Sequence, residues 1–179
     1  FDIAEAGKNV TSVQPTVDEI NRSLTAYGFN NFYIAPSPQN ANMYQIKRPD
    51  GTLASNTLSE GEETFITFLY YLQLAKGSAN AATVSNRKIL VIDDPICSLD
   101  STILYVVSAM VKELIKEVKH GDSNIEQVFI LTHNIFFHKE ASFVNGRTSS
   151  ESSVNYWIIR KNENESSITA YGQENPIST

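Results

Sequence analysis

The chain has 179 residues, 41% of them hydrophobic, which suits one globular domain with a sizeable core and is short for two. Its 14 basic and 20 acidic residues leave a net charge of −6, so a role on nucleic acid or an anionic membrane would have to be local or carried by other domains. Cys97 is the only cysteine, which excludes an intrachain disulfide and a CxxC metal site and fits a reducing, cytoplasmic setting.

Asp2 and Glu5 interrupt the start of the chain and no basic stretch precedes an apolar one, so no signal peptide is expected. Residues 16–27 place Val17, Ile20, Leu24 and Tyr27 at spacings of three and four, predicting a short amphipathic helix that stops at Gly28. Two strand-like runs follow at 32–35 and 43–48, with Pro36 and Pro38 in the linker and Pro49-Asp50-Gly51 as the closing turn. This opening third reads as a helix plus a small hairpin. Residues 60–76 carry Phe65, Phe68, Leu69, Leu72 and Leu74 on a broad helical stripe, and Gly77 supplies a stop.

The run 88–92 has no polar alternation, as expected of a strand buried on both faces of a parallel sheet. A helix over 101–119 follows, then a second buried strand at 127–131 and a helix over 135–143. The apolar runs are far shorter than the roughly 20 residues that span a bilayer, so no membrane segment is expected. In this β-α-β-α order, right-handed crossovers bring both strand ends to one edge of one sheet, where α/β folds place their chemistry. Residues 146–153 are Ser/Thr-rich and read as a mobile loop, while 154–160 and 167–171 read as a closing strand pair around the polar turn 162–165. The expected fold is a single α/β domain over 1–179, with buried, largely parallel strands flanked by helices. No internal repeat is present.

Three segments carry chemistry. Ile89 through Asp100, ILVIDDPICSLD, sets a hydrophobic strand against two carboxylates, the first suited to holding Mg²⁺ and the second to orienting a water. A plain strand ending in a polar turn would look the same. Leu58-Ser59-Glu60-Gly61-Glu62 precedes the helix at 60, with Ser59 and Glu62 spaced as a capping box. Alone it is a well-made helix start, although free N–H groups and the helix dipole also make it a phosphate site. Leu131-Thr132-His133-Asn134 ends the second buried strand, so His133 emerges on the same edge as Asp93 and Asp94.

In order, LSEGE, hhhhDDP, SLD and hhxTHN resemble the signature motif, Walker B, D-loop and H-loop of ABC ATPases. The Asp-Asp-Pro variant, the LTHN motif followed by Phe136-Phe137, and the tail YWIIRKNENESSITAYGQENPI resemble the ATPase heads of PrrC/RloC-type anticodon nucleases and their SMC-like relatives. The resemblance implies ATP and Mg²⁺ as ligands, with Asp93 as the Walker B magnesium residue, Asp94 in the usual position of a catalytic glutamate, and His133 as the switch histidine. Ser98, Leu99 and Asp100 would form the D-loop, and Ser59, Gly61 and Glu62 would meet a nucleotide held by the opposite head. Asp94 is one methylene shorter than glutamate, and Cys97 stands where many ABC proteins carry serine.

No Walker A motif is present, since the only Gly-Lys pair, Gly7-Lys8, lacks the GxxxxGK[ST] pattern, and no Q-loop can be placed. SMC-like heads join two distant pieces of chain, and this chain resembles the second, with residues 1–15 as the return from an insertion or coiled coil. The implied partners are the N-terminal P-loop half of the same head, an ATP-dependent homodimer partner, and tRNA or DNA through other domains. The implied output is gating of an RNA-cleaving defence protein, the alternatives being a DNA-repair or DNA-surveillance ATPase and a non-hydrolysing scaffold. The isolated chain is expected to be inactive. A phosphoacceptor receiver is disfavoured because the second strand ends in Thr132-His133 rather than a third aspartate, and LSEGE argues against a metal-dependent nuclease.

Overall fold

The computed structural model describes residues 14–40, 43–54, 57–76, 87–96, 101–144, 149–150 and 153–177. Helix α1 (Gln14–Ala26) buries Val17, Ile20 and Leu24 along one stripe. It ends in a Schellman turn in which the Phe29 amide donates to the Leu24 carbonyl and the Gly28 amide to the Thr25 carbonyl. That turn needs a left-handed residue, and Gly28 has φ 72°. Strands β1 (Tyr33–Pro36) and β2 (Tyr44–Lys47) form the expected antiparallel hairpin. Asn21 docks it on α1, its side chain donating to the Ile34 carbonyl and accepting from the Ile34 amide at 2.7 and 2.9 Å.

Helix α2 (Glu60–Lys76) turns Phe65, Phe68, Leu69, Leu72 and Ala75 inward. Leu74, expected on that stripe, is exposed, because the i, i+3, i+4 progression from Leu72 reaches Ala75 instead. Phe65 forms an edge-to-face cluster with Phe29 and Phe32, with centroids 5.0 and 6.3 Å away. The expected stop, Gly77, lies outside the described residues.

Strand β3 (Lys88–Asp93), helix α3 (Ser101–His120) and strand β4 (Ile125–Leu131) make one β-α-β unit, with β3 and β4 parallel and Asp93 opposite Leu131. Helix α4 (Ile135–Ser142) follows. The core runs continuously from α1 through the hairpin, α2, β3, α3 and β4 to α4. The expectation of strands buried on both faces does not hold. Leu90 and Ile92 are 6% and 3% exposed, whereas Ile89 and Val91 are 63% and 53% exposed, and Phe129 and Leu131 on β4 are exposed as well. Side chains alternate across a strand, so one sheet face is filled by the core and the other is an uncovered apolar strip.

The expectation of largely parallel strands is also corrected. Among the described residues only β3–β4 is parallel; the other three two-stranded sheets are antiparallel, because only one crossover unit is present. Part of the segment read as a loop is strand: β5 (Phe143–Val144) pairs with β6 (Ser149–Ser150), while residues 145–148 and 151–152 lie outside the description. The closing pair is β7 (Tyr156–Asn162), two residues later than predicted, and β8 (Glu165–Gly172), longer than predicted, joined by a two-residue turn in which Glu163 has φ 41°. Asn175 anchors the end of the chain on α4 through His138 and Ser142, at 3.0 and 3.2 Å. Among the described residues no helix is long and apolar enough to cross a membrane.

Truncating Phe65 leaves a cavity at the centre of the aromatic cluster, so Phe65→Ala is expected to lower stability by about 3–5 kcal/mol. Leu74→Ala should change it by less than about 0.5 kcal/mol, as for other surface positions. Urea unfolding midpoints of the two variants check the contrast.

Candidate functional site

Two clusters hold the residues singled out in the sequence. The first stands at the carboxyl edge of β3 and β4. Asp93 ends β3 and is exposed, on the same strand face as Ile89 and Val91. The Asp94 amide extends the ladder by donating to the Leu131 carbonyl at 2.9 Å. Asp94 has φ 46°, a left-handed conformation that costs a non-glycine residue roughly 1–3 kcal/mol and persists only where neighbours enforce it.

The neighbours are Thr132 and His133. The Thr132 hydroxyl donates to Asp94 Oδ1 at 3.0 Å, and His133 Nδ1 contacts Asp94 Oδ2. Thr132 Oγ1 in turn accepts the Asn134 amide at 3.0 Å, which directs the hydroxyl proton toward the carboxylate. Asn134 caps α4 by accepting from the Phe136 and Phe137 amides. A carboxylate only accepts, so Nδ1 of His133 donates and Nε2 is the ring nitrogen left for a ligand. His133 is largely exposed and Asp94 half-buried. Cys97, Ser98, Leu99 and Asp100 lie outside the described residues.

The second cluster is the start of α2. Ser59 and Glu62 form a reciprocal capping box: the Ser59 amide donates to Glu62 Oε2 at 2.9 Å, and the Glu62 amide donates to Ser59 Oγ at 3.2 Å. Ser59 and Glu60 are exposed, and Gly61 is buried. Glu62 is buried as well, and its carboxylate is held bidentately by Arg48, at 2.8 and 3.2 Å. The Arg48 pairing, helped by the Ser59 amide and opposed by burial, holds the Glu62 carboxyl below its usual value, and the Glu62 contact raises Arg48. Grouped with Ser59 and Gly61 in the sequence, Glu62 thus has both oxygens engaged within the chain.

Sequence reasoning missed Arg48 and the part played by Thr132. Thr132 was legible as the neighbour of His133. Arg48 stands 14 positions before Glu62, and no periodicity links them. Among the described residues no three His, Cys, Asp or Glu side chains gather into a metal cage. Asp93, a single exposed carboxylate, fits one position around a magnesium ion otherwise held by phosphates and water.

Residues 2–179 match the sequence profile of a family described as "AAA domain". Over 78 residues, 43% of this chain, it is 37% identical to an uncharacterized chromosomal cassette SCCmec type IVc protein CR006 of Staphylococcus aureus strain MRSA252, and equally to a second Staphylococcus aureus copy. The matched stretch spans about a tenth of the length of these relatives (10%). A solved structure from work on ATP-driven dimerization and DNA-stimulated activation of SMC ATPases superposes with a TM-score of 0.53 at 14% identity, covering 89% of this chain and 87% of that one. That likeness places the fold among SMC ATPase folds.

The depressed Glu62 carboxyl has a consequence for stability. Its contribution is fully present above the ordinary value of about 4.5 and is lost as pH falls through the lower native value. Unfolding midpoints should therefore drop as pH is lowered below about 4.5, and Glu62→Gln, which keeps an acceptor for the Ser59 amide, should flatten that drop. Urea titrations across this range, on both proteins, check it.

Proposed function

The chain belongs to the AAA domain family, and from that membership and its SMC-ATPase-like fold we propose that it is the C-terminal part of an ATP-hydrolysing ABC/SMC-like head. The observation that carries this reading is the meeting of Asp94 with Thr132 and His133 where two adjacent parallel strands end. The strip formed by Ile89, Val91, Phe129 and Leu131 supports it from another side. Parallel sheets are normally covered on both faces, and a P-loop half of the same head is the cover this reading supplies.

In hydrolysis, a water attacks the γ-phosphorus, the bond to the bridging β-γ oxygen breaks, and ADP leaves with inorganic phosphate. Asp94 orients the attacking water with a carboxylate that Thr132 and His133 hold in place. His133 presents Nε2 toward the γ-phosphate. Asp93 holds magnesium, which when bound neutralises phosphate charge. Ser98, Leu99 and Asp100 are assigned the D-loop role on the SLD motif alone. The Ser59 hydroxyl and the Glu60 amide, at the exposed start of α2, meet the nucleotide of a second head; buried Gly61 and Glu62 stand behind this contact, Glu62 by fixing Ser59.

The output proposed for the whole protein is gating of an RNA-cleaving activity in another domain. Its support is the pattern Asp93-Asp94-Pro95, LTHN and Phe136-Phe137, which resembles anticodon-nuclease heads. A DNA-responsive ATPase is the second reading, favoured by the likeness to a DNA-stimulated SMC ATPase. Adding tRNA or duplex DNA to the full-length protein and following both ATP turnover and RNA integrity separates the two.

Two outcomes are expected of the head completed by its P-loop half. Asp94→Asn should reduce ATP turnover by at least about 100-fold while nucleotide affinity is kept, consistent with loss of a group acting on the attacking water; turnover assays and equilibrium ATP binding check it, and normal turnover would remove Asp94 from the role. Ser59→Arg should leave folding and single-site ATP binding nearly intact, at a cap cost of about 1 kcal/mol, while ATP-driven dimerisation is lost. Sedimentation with and without ATP, in an Asp94→Asn background, measures it.

A further inference from the structure

Arg48 makes five side-chain hydrogen bonds, and the proposed reaction does not use it. It follows β2, and all five of its guanidinium N–H donors have acceptors. Nη1 donates to the Asn31 carbonyl at 3.0 Å and to Glu62 Oε1 at 2.8 Å; Nη2 donates to the Thr57 carbonyl at 2.6 Å and to Glu62 Oε2 at 3.2 Å; Nε donates to Thr57 Oγ1 at 3.3 Å. One side chain thereby joins the residue pair before β1, the end of the hairpin, the segment leading into α2, and the first turn of α2.

The linkage continues to Ser59. Glu62, held by Arg48, accepts the Ser59 amide, and the Glu62 amide donates to Ser59 Oγ. Because Oγ is already accepting, the Ser59 hydroxyl proton is the one free to turn outward. The box also takes the Ser59 and Glu62 amides and Gly61 is buried, so the amide of exposed Glu60 is the first-turn donor left for an external acceptor beside the Ser59 hydroxyl. The placement of those donors is therefore set by the hairpin through Arg48, at a point where a turn or shift of α2 would misdirect them.

We infer that Arg48 is a positioning residue for the contact between one head and the nucleotide of the other, acting through Glu62 on Ser59; this rests on the reading of Ser59 given under Proposed function. Lysine cannot substitute. It has three donors on a point charge, and cannot hold two carboxylate oxygens and two carbonyls in one plane.

The test uses the completed head in the Asp94→Asn background, with equilibrium ATP binding, thermal midpoint and sedimentation with and without ATP. Arg48→Lys is expected to keep single-site ATP affinity within about twofold and to weaken ATP-driven dimerisation by about tenfold or more, the scale of one lost charged hydrogen-bond pairing. Combining it with Glu62→Gln should weaken dimerisation by less than the product of the two single effects, since both act on one linkage. Arg48→Lys dimerising like its parent, while Ser59→Arg does not dimerise, overturns the inference and leaves the reading of Ser59 standing. Loss of ATP binding in step with dimerisation and thermal midpoint also overturns it, because Arg48 would then be a general fold contact. If Ser59→Arg itself dimerises normally, the reading of Ser59 fails and the inference fails with it.

Discussion

The parallel ladder between β3 and β4 sets the geometry on which the rest of the site depends. Strands paired in register end together, so the amide of Asp94 reaches the Leu131 carbonyl and the side chains that follow each strand are forced into contact. Asp94 pays for this with a left-handed backbone, and the Thr132 hydroxyl and His133 ring hold it there. The same two groups orient its carboxylate. A one-residue slip in the ladder would separate them and also exchange the buried and bare faces of the strand that slipped.

A second constraint works at the other cluster by charge. Glu62 is a buried carboxylate, and removing a carboxylate from water is tolerated only when it is paired and hydrogen-bonded. Arg48 and the Ser59 amide supply both. The helix start that bears Ser59 is therefore coupled to the hairpin as well as to its own backbone, which distinguishes it from an ordinary capped helix. Removing one partner of such a pair strands a buried charge, and the geometry the pair holds here is that of the exposed first turn of α2.

The Asp94 cluster sits beside an exposed apolar surface. The strip of Ile89, Val91, Phe129 and Leu131 ends at Asp93, so whatever covers it also approaches the carboxylate edge. The outer side of β3 is partly closed by the Tyr71 hydroxyl, which donates to the Val91 carbonyl at 2.7 Å. Covering the strip and completing a nucleotide site are one event under the proposed function, and burial of apolar area then contributes to assembly of the head.

Periodicity and turn chemistry were enough to read the helices, the two hairpins and the crossover unit, because a 3.6-residue stripe and an uninterrupted apolar run carry their own signal. The capping box was legible for the same reason, as Ser59 and Glu62 are neighbours within one turn. That Asp94 and His133 share an edge also followed from the sequence, through the handedness of the crossover. The bare face of the sheet was not legible, since an apolar run of five residues is the same whether a helix covers one side or two. Leu74 and Ala75 differ by one position on a broad stripe, and only packing decided which was buried. The Arg48–Glu62 pair and the strained Asp94 were likewise settled by tertiary structure alone. Long-range charge pairing leaves no period in the chain, and a left-handed aspartate is set by the partners that the fold brings to it.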